Sequence, residues 1–181
     1  RGASKDDGLG NRFLSHIREV DALVHVLRCF DDDAVTHMDG SLDPIRDADV
    51  VETELMLSDL ETCERGLHRL NHLIRSNARG VAREVVLEHD ALQKIKHTLE
   101  AGSPVRGMEL TQEERESVRE NHLLTAKPIF WVANVNEEDV VATKTPKLNA
   151  LWERYGPDRV LPISAKIEEE IGQLSREERK V

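Results

Sequence analysis

Three consecutive segments near the C-terminal end of the chain follow the pattern strand, helix, strand, and this order restricts the fold more than any other feature. The apolar runs KPIFWVANV (127–135) and DRVLPISAK (158–166) predict the two strands. PKLNALWERYG between them predicts a helix that ends at Gly156 and Pro157, residues that favour helix termination. Because a helical crossover joins parallel strands, the pattern predicts an α/β fold with a parallel sheet covered by helices.

The beginning of the chain supplies further elements of the same kind. NRFLSHIREV places Phe13, Leu14 and Ile17 at helical spacing, and DALVHVLRCF predicts a short apolar strand at 22–30. We therefore assign residues 1–52 and 125–181 to one α/β domain.

The middle of the chain has a different period and predicts an inserted antiparallel helical hairpin, a coiled coil, over residues 53–124. SNARG at 76–80 suits the turn between its two helices, and TQEE at 111–114 has the form of a capping box at the start of a third, short helix. The apolar residues in steps of three and four are Met56, Leu60, Cys63, Leu67, Leu70 and Ile74 in the first helix, and Leu92, Ile95 and Leu99 in the second.

The composition excludes several classes of protein. Charged side chains make up 33% of the chain, which is too polar for a membrane-embedded protein. The net charge of −10 argues against a globally electrostatic nucleic-acid binder, although not against a local basic patch, and we expect no sequence-specific DNA binding. No apolar run approaches the roughly 20 residues of a membrane-spanning helix. Cys29 and Cys63 lie outside any metal or redox motif, so we expect reduced thiols and a cytoplasmic protein.

Polar and aromatic side chains follow the predicted strands at their carboxyl ends, where open parallel sheets bind ligands. Phe30 follows the first strand, Asn134 and Glu137 follow the second, and Ser164–Ala165–Lys166 follow the third. Together they offer an aromatic face and hydrogen-bonding groups, as recognition of a planar base requires. Taken singly, each is also an ordinary turn or loop residue.

The order of these groups is that of the P-loop GTPases, in which N-K-x-D reads the guanine edge and S-A-K closes over the base. The chain has NVNE at 134–137, so Val135 stands in the place of the lysine and Glu137 in the place of the aspartate. That aspartate accepts hydrogen bonds from two donors of guanine, whereas adenine presents an acceptor at its ring nitrogen. The altered sequence predicts weakened guanine recognition.

Four blocks of the sequence resemble the Obg-like ATPases of the YchF type. The resemblance implies a P-loop NTPase G domain with helices on both faces of its sheet, a coiled-coil insertion, ATP preferred over GTP, Mg²⁺ with the nucleotide, and association with ribosomes or ribosomal RNA. It implies that Phe30, Asn134, Val135, Glu137 and Ser164–Ala165–Lys166 surround the base. The blocks occur in the family's order: GASKDDGLGNRFLSHIREVDALVHVLRCF, HMDGSLDPIRDADVVETEL, LLTAKPIFWVANVNEED and PISAKIEEEIGQL.

The resemblance also implies parts that the 181 residues do not contain. RGASKDDGLGN, with Gly2, Gly8, Gly10 and Asn11, is similar to the mobile switch segment that follows a metal-binding D-x-x-G. No G-x-x-x-x-G-K-[ST] phosphate loop occurs, and GSPVRGME at 102–109 lacks its lysine and follows a helix. We therefore expect the phosphate-binding, Mg²⁺-binding and catalytic groups before Arg1 and the family's TGS domain after Val181. The expected function is a slow ATPase of the full-length protein, with this fragment alone inactive.

One stretch of the predicted hairpin is unusually basic. No acidic residue occurs from Gly66 to Ala82, and Arg65, Arg69, Arg79 and Arg83 follow helical spacing along one side. This face is either an ordinary solvated surface or a contact for RNA phosphates. An alternative function follows from it: a non-enzymatic module that binds RNA or protein, with a vestigial nucleotide pocket.

Overall fold

The computed structural model describes residues 9–30, 42–76, 80–142, 145–175 and 177–178 of the chain. Gly2, Gly8 and Arg79, which the sequence singles out, lie outside these residues. The described elements are α1 (Leu9–Glu19), β1 (Leu23–Arg28), α2 (Pro44–Ser76), α3 (Arg83–Glu100), α4 (Gln112–Ser117), β2 (Ile129–Asn134), α5 (Glu137–Ala142), α6 (Pro146–Tyr155), β3 (Val160–Ile163) and α7 (Ala165–Gln173), with short 3₁₀ turns at Val105–Gly107, Arg119–Asn121 and Pro157–Arg159.

The chain divides into two compact units. Within the described residues, the helical unit falls in Arg1–Leu23 and Val50–Pro128, and the sheet unit in Val24–Asp49 and Ile129–Val181. The sequence-based division grouped the first helix with the sheet, whereas α1 is part of the helical unit. Among the described helices, none combines the length and the apolar character needed to cross a membrane.

The sheet unit contains three strands in the order β1-β2-β3. β2 and β3 are parallel, with Trp131 opposite Val160 and Asn134 opposite Ile163. The backbone N–H groups of Leu23 and Cys29 donate to the carbonyls of Pro128 and Asn134, at 2.9 and 2.8 Å. Both pairs advance by six residues, so β1 is also parallel to β2. The predicted α/β class with a parallel sheet is confirmed.

Helix α6 forms the crossover between β2 and β3, and its ends follow the sequence signals. Thr145 caps its first turn by accepting a hydrogen bond from Leu148 N at 3.2 Å, and Gly156 ends it at φ 92°, which is costly for other residues. Leu148 and Leu151 are fully buried in the core of the sheet unit. The indole N–H of Trp152 donates to Val160 O at 3.2 Å, which joins the helix to β3.

The second face of the sheet carries apolar side chains that remain exposed. The expected covering by helices on both faces is therefore not completed by the described residues. An exposed apolar patch on a sheet indicates a surface that another segment or molecule contacts. The side chains on this face, each 50–64% exposed, are Val24, Val26, Phe130 and Leu161.

The helical unit is built on the antiparallel pair α2 and α3, as the sequence predicts. Glu64 of α2 pairs with Lys96 of α3 at 3.2 Å, and Arg69 further along α2 pairs with Glu88 earlier in α3 at 2.9 Å. Positions that rise along α2 and fall along α3 define an antiparallel arrangement. The apolar seam lies between the helices, where Cys63, Leu67 and Leu70 share a buried core with Leu92, Ile95 and Leu99.

A buried carboxylate connects several segments of this unit. Asp59 of α2 is inaccessible to solvent and accepts hydrogen bonds from the backbone N–H groups of Leu124 and Thr125 at 2.8 and 2.7 Å. The Thr125 hydroxyl donates to it at 2.8 Å, and Arg18 of α1 lies 3.4 Å away. The charge is thus compensated by donors from two other parts of the chain, as a buried carboxylate requires.

Candidate nucleotide-base site

Asn134 connects the carboxyl ends of all three strands. Its backbone carbonyl accepts from Cys29 N after β1, and its side-chain Oδ1 accepts from Ala165 N after β3 at 3.0 Å. Because a backbone N–H is the donor, the amide orientation is fixed, with oxygen toward Ala165 and the Nδ2 group as the remaining donor. An ordinary Asx turn would bond a residue two positions along the same loop. Asn134 instead bonds a loop 31 residues away.

A cavity of about 580 Å³ lies at these strand ends. Its volume is within the range of small-molecule sites. All seven residues that the sequence groups around a base line this cavity, together with two neighbours that the sequence reasoning did not single out. The lining residues are Phe30, Asn134, Val135, Asn136, Glu137, Glu138, Ser164, Ala165 and Lys166.

The walls of the cavity differ in their exposure. Val135 is 2% exposed, and its N–H donates to Ile163 O at 2.8 Å, so it continues the sheet by one residue. Ser164 is also buried and precedes α7, while Ala165 and Lys166 are exposed in the first turn of that helix. Val135 therefore contributes an apolar wall. The polar groups come from the segment after β2 and from the start of α7.

Phe30 is oriented by an arginine two residues before it. The guanidinium carbon of Arg28 lies 5.0 Å from the centre of the Phe30 ring, and Arg28 Nε donates to Phe30 O at 3.1 Å. A cation over one face of a ring stabilises its position and leaves the other face for a ligand. The spacing of two along a strand is the sequence signal that could have identified Arg28 as a neighbour.

Glu137 and Lys166 form an ion pair across the cavity, with Nζ and Oε1 at 2.5 Å. The hydrogen bond and charge of Glu137 raise the pKa of Lys166. Both side chains are exposed, 70% for Lys166 and 46% for Glu137, so water screens the pair. The consequence for recognition is chemical: one oxygen of the carboxylate that would accept from a base is already bonded to an ammonium group.

The described residues form no metal site. In the described part of the chain, no group of three or more His, Cys, Asp or Glu side chains is placed to hold a metal ion. The Mg²⁺ implied by the family resemblance therefore finds no ligand set among these residues.

The described arginines of the predicted basic face, Arg65, Arg69 and Arg83, are paired with acids. Arg69 pairs with Glu88 at 2.9 Å and Arg83 with Glu113 at 2.8 Å, from α3 and the start of α4. Arg65 lies 3.9 Å from Glu61 in its own helix. The stretch is free of acids in sequence, but neighbouring helices supply them. Of the predicted switch residues within the described range, Gly10 and Asn11 lie in the first turn of α1.

The structure is similar to a solved relative over almost its whole length. It matches the structure of the Schizosaccharomyces pombe YchF GTPase with a TM-score of 0.79 and 34% sequence identity, covering 98% of this chain and 48% of that one. The fold is thus that of an α/β P-loop NTPase of the G-domain class. No protein-family model matches the chain.

Curated relatives with similar sequences are named as ribosome-binding or Obg-like ATPases. The chain is 42% identical over 184 residues to the ribosome-binding ATPase YchF of Bacillus subtilis, and 39% identical over 181 residues to that of Escherichia coli O157:H7. It is 37% identical over 181 residues to Obg-like ATPase 1 of Oryza sativa subsp. indica. These matches cover 98–100% of the chain and 45–49% of the relatives. The chain is a homologue, over its whole length, of the Obg-like ATPases of the YchF type, and it spans about half of their length.

Proposed function

We propose that the full-length protein is a cytoplasmic, ribosome-associated ATPase that binds ATP in preference to GTP and hydrolyses it slowly. The bacterial relatives are named ribosome-binding ATPases, while the similar solved structure is named a GTPase. The names therefore differ on the nucleotide. The chemistry of the cavity at the strand ends is what supports adenine.

The ion pair between Glu137 and Lys166 is the observation that carries this proposal. Guanine recognition needs a free carboxylate that accepts from two adjacent donors of the base. Here one carboxylate oxygen is bonded to Lys166, which competes with the two donors of guanine for this carboxylate. Asn134 Nδ2 retains its donor capacity, which serves a purine ring nitrogen common to both bases. The cavity keeps purine binding and reduces the advantage of guanine.

The phosphates and Mg²⁺ are assigned to parts of the full-length protein outside these 181 residues. The sequence contains no G-x-x-x-x-G-K-[ST] loop, whose backbone amides and lysine neutralise phosphates in this class. When bound, Mg²⁺ would neutralise charge on the phosphates. The residues described contribute the binding and orientation of the base, and in this proposal residues 1–181 alone neither hydrolyse ATP nor bind it tightly.

The test is to measure ATP and GTP dissociation constants side by side for the full-length protein by calorimetry with Mg²⁺ present. Tighter binding of ATP, with measurable turnover, supports the proposal. Equal affinity, or tighter binding of GTP, contradicts the adenine preference. Co-sedimentation with purified ribosomes, with and without ATP, tests the ribosome association separately.

The alternative function is a non-enzymatic module whose helical unit, predicted at 53–124, binds RNA or protein. Its specific support is the exposure of Arg65 and Arg69, at 69% and 63%, on α2. The acids that pair with both reduce their net charge, which weakens a phosphate-binding face. Full-length protein that binds RNA but shows no nucleotide affinity would favour this alternative.

A further inference from the structure

A second cavity, of about 390 Å³, lies within the helical unit and is lined by cations. Asp21 is the acid among its lining residues, so basic side chains outnumber acidic ones at a site in a chain of net charge −10. Such local segregation of charge indicates an anionic ligand. The basic lining residues are Arg106, Arg115, Arg119, His122 and Lys127.

Arg106 has an incomplete set of hydrogen bonds at this cavity. It forms an ion pair with Glu52, and its Nε donates to Lys127 O at 3.1 Å. Its second terminal nitrogen is buried and, within the described residues, has no hydrogen-bond partner. A buried guanidinium N–H without an acceptor costs free energy, and the ion pair with Glu52 holds this arginine in the cavity wall.

His122 stands at the same cavity in a left-handed backbone conformation, which is uncommon in residues other than glycine. Its φ and ψ are 46° and 49°, and it is the non-glycine residue with positive φ in the described chain. Arg18 holds this conformation by donating to His122 O at 3.0 Å. Strained residues of this kind concentrate at binding sites, where the surrounding structure fixes them.

The remaining lining is apolar. Val105, Val118 and Leu123 are buried, and Met108 and Leu110 are partly exposed beside the cations. Apolar side chains next to guanidinium and imidazole groups accommodate a base, because guanidinium and imidazole planes stack on bases. A phosphate alone would need only the cations.

We propose that this cavity binds one nucleotide of single-stranded RNA. The phosphate contacts the exposed Arg115 and Arg119, and the base packs against Met108 and Leu110. The proposal deepens the ribosome association proposed above and rests on it for the source of the RNA. RNA is favoured over an acidic peptide because cations and apolar side chains line the cavity together, which matches the phosphate and the base of a nucleotide.

The experiment measures binding of a fluorescently labelled, short single-stranded RNA to the full-length protein by anisotropy, over a series of salt concentrations. The test variant is Arg115→Glu with Arg119→Glu, because both side chains are exposed and neither carries the buried ion pair. The matched control is Arg154→Glu with Arg159→Glu, which makes the same charge change at two exposed residues of the sheet unit that do not line this cavity. Circular dichroism checks that both variants remain folded, and Arg119→Glu alone serves if the double variant unfolds.

We expect the test variant to lose about tenfold or more in affinity and to show a salt dependence shallower by about two, one for each phosphate-contacting cation removed. The control variant should change affinity much less. A matching abasic RNA should bind the wild type more weakly than the base-bearing RNA. Co-sedimentation of the same proteins with ribosomes separates the two proposals. If the wild type binds RNA but does not co-sediment with ribosomes, the proposed ribosome association is wrong and the RNA site stands.

Three results would overturn the cavity as an RNA site. Equal losses in the test and control variants would show unspecific electrostatics. Competition by polyglutamate as strong as by unlabelled RNA would indicate an acidic protein partner. Equal binding of abasic and base-bearing RNA would show that no base enters the cavity.

Discussion

The side-chain oxygen of Asn134 accepts a hydrogen bond from the backbone N–H of Ala165 at 3.0 Å, and this contact joins the loops that follow β2 and β3. One side chain therefore has two separable functions. Its oxygen orders the second loop, and its nitrogen is the donor that the proposed function assigns to the purine.

Two substitutions at Asn134 separate these functions. Asn134→Asp keeps an oxygen acceptor for Ala165 N but replaces the amide donor with an acceptor that faces the purine nitrogen. We expect thermal stability near that of the wild type and ATP affinity lower by roughly ten- to a hundredfold, the effect of one lost hydrogen bond with an unpaired partner. Asn134→Ala should lower both the thermal stability and the ATP affinity. Calorimetry and thermal unfolding of the full-length protein measure them, and unchanged ATP affinity in Asn134→Asp would exclude the amide from base binding.

Asp59 should be among the most sensitive positions of the helical unit. Asp59→Ala removes the acceptor of three donors at 2.7–2.8 Å and leaves them buried. Breaking a buried charged network of this kind costs about 3–5 kcal/mol of unfolding free energy. Glu61→Ala in the same helix removes an exposed acid with a 3.9 Å partner and should change the free energy by less than about 1 kcal/mol. Urea unfolding followed by circular dichroism measures the unfolding free energy of both variants. Similar losses in the two variants would contradict the structural importance of the Asp59 hydrogen bonds.

The same Gly→Ala substitution should have opposite signs at two helical positions. At Gly66 an added Cβ would lie 2.8 Å from Leu92 Cδ1, and Leu92 is fully buried. Overpacking costs about 1–3 kcal/mol, more than the roughly 0.5–1 kcal/mol that alanine gains in a helix. At Gly172 an added Cβ meets no atom within 4 Å, so Gly172→Ala should stabilise by up to about 1 kcal/mol. Thermal unfolding of both variants checks the signs, and stabilisation by Gly66→Ala would show that Leu92 repacks freely.

Both cysteines should be unreactive in the folded chain. Burial raises the pKa of Cys29 to about 11 and that of Cys63 to about 12, from 9.0. At pH 8 both are therefore neutral thiols, and only the thiolate reacts. Because the pKa of each thiol is higher in the folded than in the unfolded state, each contributes folding stability that is fully present below pH 9. That contribution is lost as the pH rises toward 11–12. A thiol reagent should modify both residues rapidly in denaturant and neither rapidly in buffer, and stability should fall above pH 9. Fast labelling of the native chain would contradict their burial.

The sequence predicted the elements whose signals are local. KPIFWVANV and DRVLPISAK became β2 and β3, and the Thr111 capping box formed with Glu114 as its pattern indicates. The residues around the cavity were also predicted as a group, because parallel strands bring their carboxyl ends to one edge.

Pairings between distant residues were not predictable from such patterns. The stretch from Gly66 to Ala82 contains no acid, yet Glu88 and Glu113 reach its arginine face through helix packing. The ion pair of Glu137 with Lys166 likewise joins two segments that were predicted to contact the base separately. Local periodicity determines which residues share a helix face, but not which side chain of another element meets them.

Glu137→Asp should move nucleotide preference toward GTP. The shorter aspartate reaches less far toward Lys166, so its carboxylate is freed to accept from the two donors of guanine while facing adenine's ring acceptor unfavourably. Such a contact to a charged acceptor is worth about 1.5–3 kcal/mol, or roughly ten- to a hundredfold in the ratio of ATP to GTP dissociation constants. Val135→Lys is unsuitable as a companion change, because Val135 is 2% exposed and a lysine there would strain the core. Glu138→Asp is the matched control, since Glu138 lines the same cavity. Calorimetry of the full-length variants gives the ratios, with thermal unfolding as the check on folding. A ratio that stays constant in a folded Glu137→Asp protein would exclude this loop from base selection, and an equal change in Glu138→Asp would assign it to loop disturbance instead.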